Sequence, residues 1–181
     1  MNVEQTPLRG LLLVHPRVHP DARGFFLESY NEPRYVAAGI DVQFVQDNHS
    51  QSVYGTLRGL HTQLQRPQAK LLRCIEGSIF DVAVDIRQGS STYGQWYGIE
   101  LTAQNHRQLF VPVGFLHGFC VTSDQAQVEY KCSDVYVADD QVSVRWDDPD
   151  LAIQWPIKDP ILSDKDKQAP FLKHLIDKLP R

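Results

Sequence analysis

Apolar and polar residues alternate with a period of two along most of this chain. One face of the segment 80–87 carries Phe80, Val82, Val84 and Ile86, and the other carries Asp81, Ala83, Asp85 and Arg87. Such alternation predicts a β-strand, whose successive side chains point to opposite faces of a sheet. Similar runs predict strands near residues 11–18, 24–30, 42–46, 69–76, 95–101, 107–111, 115–122 and 126–137. Short strands separated by turn signals are typical of a sandwich, jelly roll or barrel.

Helical patterns are scarce. Residues 31–39 begin with Asn31 as an N-cap, contain an early Pro33 and close on Gly39, which predicts one short helix. Near the end, apolar residues recur at helical spacing, namely Phe171, Leu172, Leu175, Ile176 and Leu179. We therefore expect one all-β domain over residues 1–181, a jelly roll with short peripheral helices and a C-terminal helical segment at about 168–179.

Composition and charge exclude several classes of protein. A chain of 181 residues with 42% apolar and 22% charged residues can build a substantial core, which argues against disorder. The formal net charge of −4 argues against general nucleic-acid binding, which needs a basic face, but permits an anionic small ligand. No apolar run approaches the roughly 20 residues that span a bilayer, so no membrane partner is expected.

The compartment is predicted from the N-terminus and the cysteines. The first residues, MNVEQ, lack the basic and apolar regions of a signal peptide, which predicts a cytoplasmic protein. Cys74, Cys120 and Cys132 are odd in number, lie in strand-like runs and show no CxxC spacing. We expect three reduced and mostly buried thiols.

Two histidine motifs lie about fifty residues apart along the chain. The first is LRGLH at residues 57–61, and the second is PVGFLHGF at residues 112–119. A single histidine in an apolar strand is most often a satisfied core residue. Two of them, His61 and His117, with Arg58 and Lys70 nearby, are hard to explain as core alone, since buried ionisable groups must be paired or used.

The second motif resembles the second signature of the cupin superfamily. Metal-dependent cupins usually carry a His-x-His in their first signature, whereas this chain has His61-Thr62-Gln63. Lys70 follows as the next strong polar group, and a cationic lysine beside a metal centre is unfavourable. The sequence therefore favours a site without metal.

Without a metal, the remaining polar residues suit proton transfer. Histidine is the usual side-chain base near neutral pH, so His61 can accept a proton, and Tyr130 can donate or accept a proton through its phenol. Lys70 can stabilise a developing enolate oxygen, and Asp166 can orient His61 as its carboxylate partner. The alternatives are structural: Tyr130 as a core tyrosine, Lys70 as a rim charge, and Asp166 as part of a solvated charge run.

Seven stretches in a fixed order resemble the dTDP-4-dehydrorhamnose 3,5-epimerase family over essentially the whole chain. They are DARGFFLESY at 21–30, FVQDNHS at 44–50, LRGLH at 57–61, FDVAVD at 80–85, PxGFxHGF at 112–119, EYK at 129–131 and LSxKD at 162–166. The resemblance implies an epimerase that uses no metal or cofactor and acts at C3 and C5 of dTDP-4-dehydro-6-deoxy-D-glucose. It also implies that His61 is the proton acceptor, Tyr130 the proton donor, Asp166 the orienting residue and Lys70 the enolate stabiliser.

The resemblance further implies a set of substrate contacts and a homodimer. The implied contacts are Arg23, Phe25, Glu28, Gln46, Asp47, Asn48, Arg58, Lys70, His117 and Lys165, with Tyr136 stacking on thymine. In similar enzymes the N-terminal strands cross to the partner, so Arg23, Phe25 and Glu28 would complete the neighbouring site. Without the resemblance, Arg23 and Glu28 would be interpreted as an ordinary strand-surface charge pair.

Three departures from the family pattern and three rival functions remain open. Thr62 stands where Tyr or Phe is usual, Gln141 stands where Glu is common, and the loop 63–69 differs in detail.

A relative acting at C3 or C5 alone would share nearly every motif. A metal-dependent cupin would need bound iron or manganese, and a silent nucleotide-sugar binder would not need His61 or Tyr130.

Overall fold

The computed structural model describes residues 1–179, and these form thirteen strands, two short α-helices and three 3₁₀ turns. The strands are β1 (Asn2–Gln5), β2 (Leu12–His15), β3 (Val18–Asp21), β4 (Gly24–Leu27), β5 (Gln46–Val53), β6 (Leu57–Gln63), β7 (Lys70–Glu76), β8 (Ser78–Asp85), β9 (Trp96–Thr102), β10 (Gln108–Val111), β11 (Phe115–Val121), β12 (Gln125–Cys132) and β13 (Gln141–Ser143). The helices are α1 (Glu32–Ala37) and α2 (Asp164–Lys167), and the 3₁₀ turns cover Ala138–Asp140, Leu172–His174 and Ile176–Lys178.

Two antiparallel sheets face each other. The six-stranded sheet has the order β1-β2-β10-β7-β12-β5, and the five-stranded sheet has the order β13-β6-β11-β8-β9. The main core lies between them, with Leu72 and Val128 from the first sheet against Ala83 and Phe119 from the second. The predicted all-β jelly roll is confirmed, and β3 with β4 forms a separate hairpin outside both sheets.

A second apolar cluster covers the outer face of the five-stranded sheet. Val82 and Val84 of β8 pack there with Leu172, Leu175 and Leu179. The C-terminal segment thus packs outside the β core as expected, but it forms two 3₁₀ turns with a break at Leu175. Leu172 and Leu175 are three residues apart, which suits a 3₁₀ geometry in which residues three apart are eclipsed. Residues 180–181 of the predicted domain lie outside the described residues.

The predicted helix near residues 31–39 is confirmed as α1, and Asn31 caps it by accepting a hydrogen bond from the Arg34 amide at 3.3 Å. The strand predicted near 42–46 is wrong, because the strand there, β5, begins only at Gln46. Its inward-facing residues are all polar, namely Gln46, Asn48, Ser50 and Ser52. A search for apolar alternation therefore could not detect β5.

Two glycines allow β6 and β11 to approach closely. A Cβ on Gly59 would lie 2.5 Å from the Gly118 Cα, and Gly59 has a φ of 129°, which other residues rarely adopt. This contact lies next to the point where His61 and His117 are directly paired across the two strands. The glycines of the two motifs therefore set the register that places both histidines side by side.

The end of β8 is held by one completely buried carboxylate. Asp85 accepts hydrogen bonds from the Arg87 amide, the Arg87 guanidinium, and the hydroxyls of Ser90 and Thr92, at distances of 2.6 to 3.0 Å. Burial alone would raise the pKa of Asp85, but these bonds outweigh it and lower the pKa well below its ordinary value. The carboxylate thus organises the β8–β9 turn.

Replacing Asp85 with alanine is expected to lower the free energy of unfolding by about 3–5 kcal/mol, because it leaves buried donors without an acceptor. The matched control is Asp147→Ala, which removes the half-exposed Arg145–Asp147 pair and is expected to cost about 1 kcal/mol or less. Urea denaturation measures both. Because the pKa is lowered in the folded state, the Asp85 contribution is full above its ordinary value of 3.8 and shrinks below it. Equal losses for the two variants would contradict this role.

Candidate active site

A cavity of about 390 Å³ opens between the two sheets. Most of the ionisable residues predicted for the site line it: Arg58, His61, Lys70, His117, Tyr130 and Asp166. It adjoins a second cavity of about 310 Å³ that shares His61, Lys70 and Tyr130 and extends to Tyr136. Each volume is in the usual range of small-molecule sites.

The two walls of the cavity carry different functional groups. His61 on β6 and His117 on β11 come from the five-stranded sheet. Lys70 on β7 and Tyr130 on β12 come from the six-stranded sheet, where the two strands are direct neighbours. A molecule bound between the sheets would therefore meet imidazoles on one side and an ammonium and a phenol on the other.

His61 is held by a carboxylate, as the sequence predicts. Its Nε2 lies 2.5 Å from Oδ1 of Asp166, which is 4% exposed. Ser163 caps α2 and accepts the amide proton of Asp166, which fixes the carboxylate in place. Burial alone would raise the pKa of Asp166, but the hydrogen bonds from His61, Ser163 and the Gly59 backbone outweigh it and lower the pKa. Asp166 is thus a buried anion that orients the ring.

His117 has a carboxylate partner that sequence reasoning missed. Its Nε2 lies 3.0 Å from both oxygens of Asp81, which is completely buried on β8. The alternation in the sequence misleads here, because Asp81 shares the polar face of residues 80–87. In the structure, the apolar face with Val82 and Val84 packs outside the sheet and leaves Asp81 and Ala83 inward. An acid at such a position is costly to bury unless it has a partner.

Burial displaces the pKa of both groups on the opposite wall. It lowers the pKa of Lys70, although nearby Cys132 and Asp81 act in the opposite direction. It raises the pKa of Tyr130, with a smaller raising effect from Cys132 and an opposing one from Arg58. Tyr130 therefore keeps its proton at neutral pH, as a proton donor requires.

Tyr136 lies at the far end of the second cavity and is 51% exposed. Its amide donates to Gln46 Oε1 at 2.9 Å, and its hydroxyl donates to Gln141 Oε1 at 2.8 Å. Gln46 in turn donates to Asn48, and both line the same cavity. Gln141, one of the departures from the family pattern, therefore accepts the hydrogen bond of the Tyr136 hydroxyl. Thr62, another departure, is buried in the wall of the same cavity.

Arg58 reaches the main cavity from β6. Its Nε donates to Ser52 Oγ at 2.9 Å and its Nη2 to the Gln51 carbonyl at 3.4 Å. Ser50, on the same face of β5, also lines this cavity. Within residues 1–179 its buried hydroxyl has no hydrogen-bond partner, and sequence reasoning missed it. Polar strands give no apolar signal from which such a residue could be predicted.

Three predicted contacts from the N-terminal part of the chain lie away from both cavities. Arg23 is exposed and pairs with Asp21, and Phe25 stacks on His106 at 4.5 Å. Glu28 accepts from Arg34 at 2.9 Å, so the expected alternative of an Arg23–Glu28 pair is wrong. Within a single chain, these three residues therefore line neither of the two cavities between the sheets.

Two further predicted contacts also lie outside the cavity lining. Asp47 points to the opposite face of β5 from Gln46 and pairs with Lys131 at 3.0 Å, because neighbouring strand residues alternate. Lys165 is exposed on α2, directly before Asp166.

Two kinds of feature are absent from residues 1–179, a metal-ligand cluster and a membrane-spanning helix. No group of three or more His, Cys, Asp and Glu side chains is placed to hold a metal ion there. In the same residues, no helix combines the length and apolar character needed to cross a bilayer.

A family model described as dTDP-4-dehydrorhamnose 3,5-epimerase matches residues 5–174. A dTDP-4-dehydrorhamnose 3,5-epimerase from Shigella flexneri is 50% identical over 168 residues, which cover 92% of this chain and 93% of the relative.

Solved structures show the same likeness. A dTDP-6-deoxy-D-glucose-3,5-epimerase from Legionella pneumophila, crystallised with dTDP-4-keto-L-rhamnose, is 46% identical with a TM-score of 0.96 and covers 99% of this chain and 97% of its own. A 3'-monoepimerase from Streptomyces bikiniensis, in complex with dTDP-quinovose, is 34% identical with a TM-score of 0.90, over 96% of this chain and 89% of its own.

The lowered pKa of Lys70 predicts how the lysines titrate. After reductive methylation with ¹³C-formaldehyde, the dimethylamine signal of Lys70 is expected to titrate at lower pH than those of exposed lysines such as Lys173, because burial disfavours the charged form. Lys70→Arg should remove that signal and leave the others unchanged. A Lys70 signal that titrates together with the exposed lysines would show that the cavity does not desolvate its ammonium group.

Proposed function

The chain belongs to the dTDP-4-dehydrorhamnose 3,5-epimerase family, and we propose that its reaction takes place between the two sheets, with His61 and Tyr130 acting from opposite walls. It is an isomerase of dTDP-rhamnose biosynthesis that converts dTDP-4-dehydro-6-deoxy-D-glucose to dTDP-4-dehydro-L-rhamnose. The observation that carries the proposed mechanism is the placement of these two side chains on facing sheets around one cavity.

The substrate itself determines which groups are needed. The 4-keto group acidifies the protons at C3 and C5, since removal of either gives an enolate. Inversion requires a base on one face of the sugar and an acid on the other. A cation near the enolate oxygen stabilises the charge that develops there, and Lys70 has the position for this role.

His61 is the proposed base. The Nε2 hydrogen bond to the Asp166 carboxylate selects the tautomer that carries its proton on Nε2 and its lone pair on Nδ1. Because the pKa of Asp166 is lowered, the carboxylate stays ionised and stabilises the imidazolium that forms when His61 takes a proton. General acid–base catalysis of this kind contributes roughly 10²–10⁴-fold.

Tyr130 is the proposed acid. Its raised pKa keeps the phenol protonated, and its place on β12 puts it on the wall opposite His61. A proton delivered from that wall to the enolate carbon inverts the centre from which His61 removed one. The same pair can serve C3 and C5 in turn if the sugar ring shifts or turns between the two steps.

The nucleotide is proposed to extend from the main cavity towards Tyr136. The half-exposed Tyr136 ring offers a face on which thymine can stack. Arg58, suited to phosphate oxygens, lines the main cavity, and Lys165, which is exposed and directly precedes Asp166, is proposed to contact the nucleotide from outside it. Gln46, Asn48 and His117 supply further polar contacts from the walls.

A homodimer that exchanges its N-terminal hairpin would complete this site. The β3–β4 hairpin belongs to neither main sheet, and its Phe25 and Phe26 are 60% and 69% exposed. Exposed neighbouring aromatic residues are typical of interaction surfaces. We propose that Arg23, Phe25 and Glu28 contact the substrate bound by the partner. The three free, buried cysteines support a cytoplasmic location, where thiols stay reduced.

One observation favours a second candidate, an epimerase that acts at one centre only. The Streptomyces bikiniensis 3'-monoepimerase shares this fold closely at 34% identity. The number of carbons that exchange their protons separates the two functions.

His61→Ala is expected to abolish proton exchange at both centres, by at least about 100-fold, because the base is lost. The measurement is NMR of dTDP-4-dehydro-6-deoxy-D-glucose in D₂O with chelator present, where the unchanged enzyme should introduce deuterium at C3 and C5. His174→Ala, on a 3₁₀ turn outside the cavities, is the matched control and should keep full exchange. Near-normal turnover by His61→Ala would disprove the mechanism.

Tyr130→Phe separates the acid from the base in the same experiment. It should reduce product formation more than deuterium exchange, since His61 can still remove protons. Equal loss of both would argue against Tyr130 as the acid. Exchange at one carbon only in the unchanged enzyme would identify a single-centre epimerase.

The exchanged hairpin predicts complementation between two inactive proteins. Arg23→Ala and His61→Ala are each expected to be inactive as homodimers. After unfolding and refolding together in equal amounts, half of the dimers are mixed and each has one intact site, so about a quarter of wild-type activity should return. If Arg23 acted in its own chain, every site in the mixed dimers would lack one residue and no activity would return.

A further inference from the structure

Two adjacent loops form the wall that carries Tyr136. We call residues 64–69 and 133–140 the paired loops. The Asp140 carboxylate accepts the backbone amides of residues 64, 65 and 66, at distances of 2.7 to 3.2 Å. Arg66 makes a two-point ion pair with Asp134, and Gln68 donates to the Asp134 carbonyl at 2.7 Å. The paired loops are thus joined to each other by side-chain and backbone hydrogen bonds.

One side chain connects the paired loops to the end of β6. Gln63 is 4% exposed and donates from Nε2 to the carbonyls of Arg66 at 2.7 Å and Val135 at 3.2 Å. Its Oε1 accepts the Val137 amide at 2.7 Å. Val135 and Val137 are the two neighbours of Tyr136 in the chain, so the Gln63 amide holds the backbone on both sides of that ring.

We propose that Gln63 is the positioning residue for Tyr136 and thereby sets the affinity of the site for the base of the nucleotide. This inference rests on the proposed stacking of thymine on Tyr136. Gln63 borders the same cavity, but both protons of its amide and its oxygen are already bonded to backbone groups. Its influence on the ligand therefore passes through the loop that presents Tyr136.

Only a glutamine amide meets all three backbone groups at this position. The two carbonyls need a donor and the Val137 amide needs an acceptor, and a side-chain amide provides both. A glutamate would present a carboxylate to two carbonyl oxygens, and a leucine would leave the Val137 amide without its partner. Because Gln63 lies two residues after His61 on β6, the same strand carries the proposed base and the residue that holds the loop of Tyr136.

The test is a double-mutant cycle on dTDP affinity, measured by isothermal titration calorimetry with the full-length protein. Gln63→Leu is expected to weaken dTDP binding about 10-fold, a change of the size that one or two hydrogen bonds produce. The turnover number should stay within about 2-fold, since the catalytic groups are untouched. Tyr136→Ala should also weaken binding about 10-fold through lost stacking. The double variant should bind no worse than Tyr136→Ala alone.

Two further variants serve as controls for the measurement of dTDP affinity. Gln88→Leu removes a glutamine that donates to the Ile176 and Leu179 carbonyls on the far side of the fold, and it should leave dTDP affinity unchanged. Gln63→Asn keeps the side-chain amide but is one methylene shorter, so it should keep only part of the three bonds and give an intermediate affinity, which also covers the case that Gln63→Leu does not fold. Equal weakening by Gln88→Leu would attribute the effect to general instability and overturn the proposal.

The cycle distinguishes failure of this inference from failure of the proposed function. If Tyr136→Ala leaves dTDP affinity unchanged, the stacking role in the proposed function is wrong. If Tyr136→Ala weakens binding but Gln63→Leu does not, Gln63 does not position the ring. Full additivity in the double variant would likewise show that Gln63 acts independently of Tyr136.

Discussion

The structure depends on how ionisable groups are accommodated between two apolar sheets. A charge in such a place is unfavourable unless it has a partner or gives up its charge. His61 and His117 lie opposite each other on β6 and β11, and each has a buried carboxylate, Asp166 or Asp81, as its partner. The close contact of Gly59 with Gly118 makes this register possible. Lys70 and Tyr130 have no carboxylate partner among the described residues, so burial lowers the pKa of Lys70 and raises the pKa of Tyr130.

The two sheets of the jelly roll contribute different ionisable groups to the cavity. The five-stranded sheet brings carboxylate-supported imidazoles to the cavity, and the six-stranded sheet brings an ammonium and a phenol whose pKa values are displaced by burial. A planar enolate held between two sheets has one wall on each face. Chemistry that needs different groups on the two faces of a ring therefore suits a sandwich better than a site built on a single sheet edge.

The sequence allowed much of this to be predicted, and the failures have physical causes. Asn31 and Pro33 mark α1 because capping is local, whereas β5 escaped detection because its inward residues are polar. The chemistry of His61, Tyr130, Lys70 and Asp166 could be proposed from residue types, but their convergence depends on strand order. Asp81 escaped detection because the apolar face of its strand packs against the C-terminal segment, which leaves the polar face of the strand inward. Two of the three backbone bonds of Gln63 reach a loop about seventy residues away, and no local pattern predicts them.

Position 63 also bears on how a fold can change its chemistry. In metal-dependent cupins the corresponding place holds the second histidine of the His-x-His motif, whereas here the side chain holds a loop through three backbone bonds. The two uses exclude each other, because an imidazole directed at a metal could not reach Arg66, Val135 and Val137 together. A change of Gln63 to histidine would therefore release the loop of Tyr136 from three backbone bonds at once, so a metal-ligating side chain and the support of that loop cannot both occupy this position.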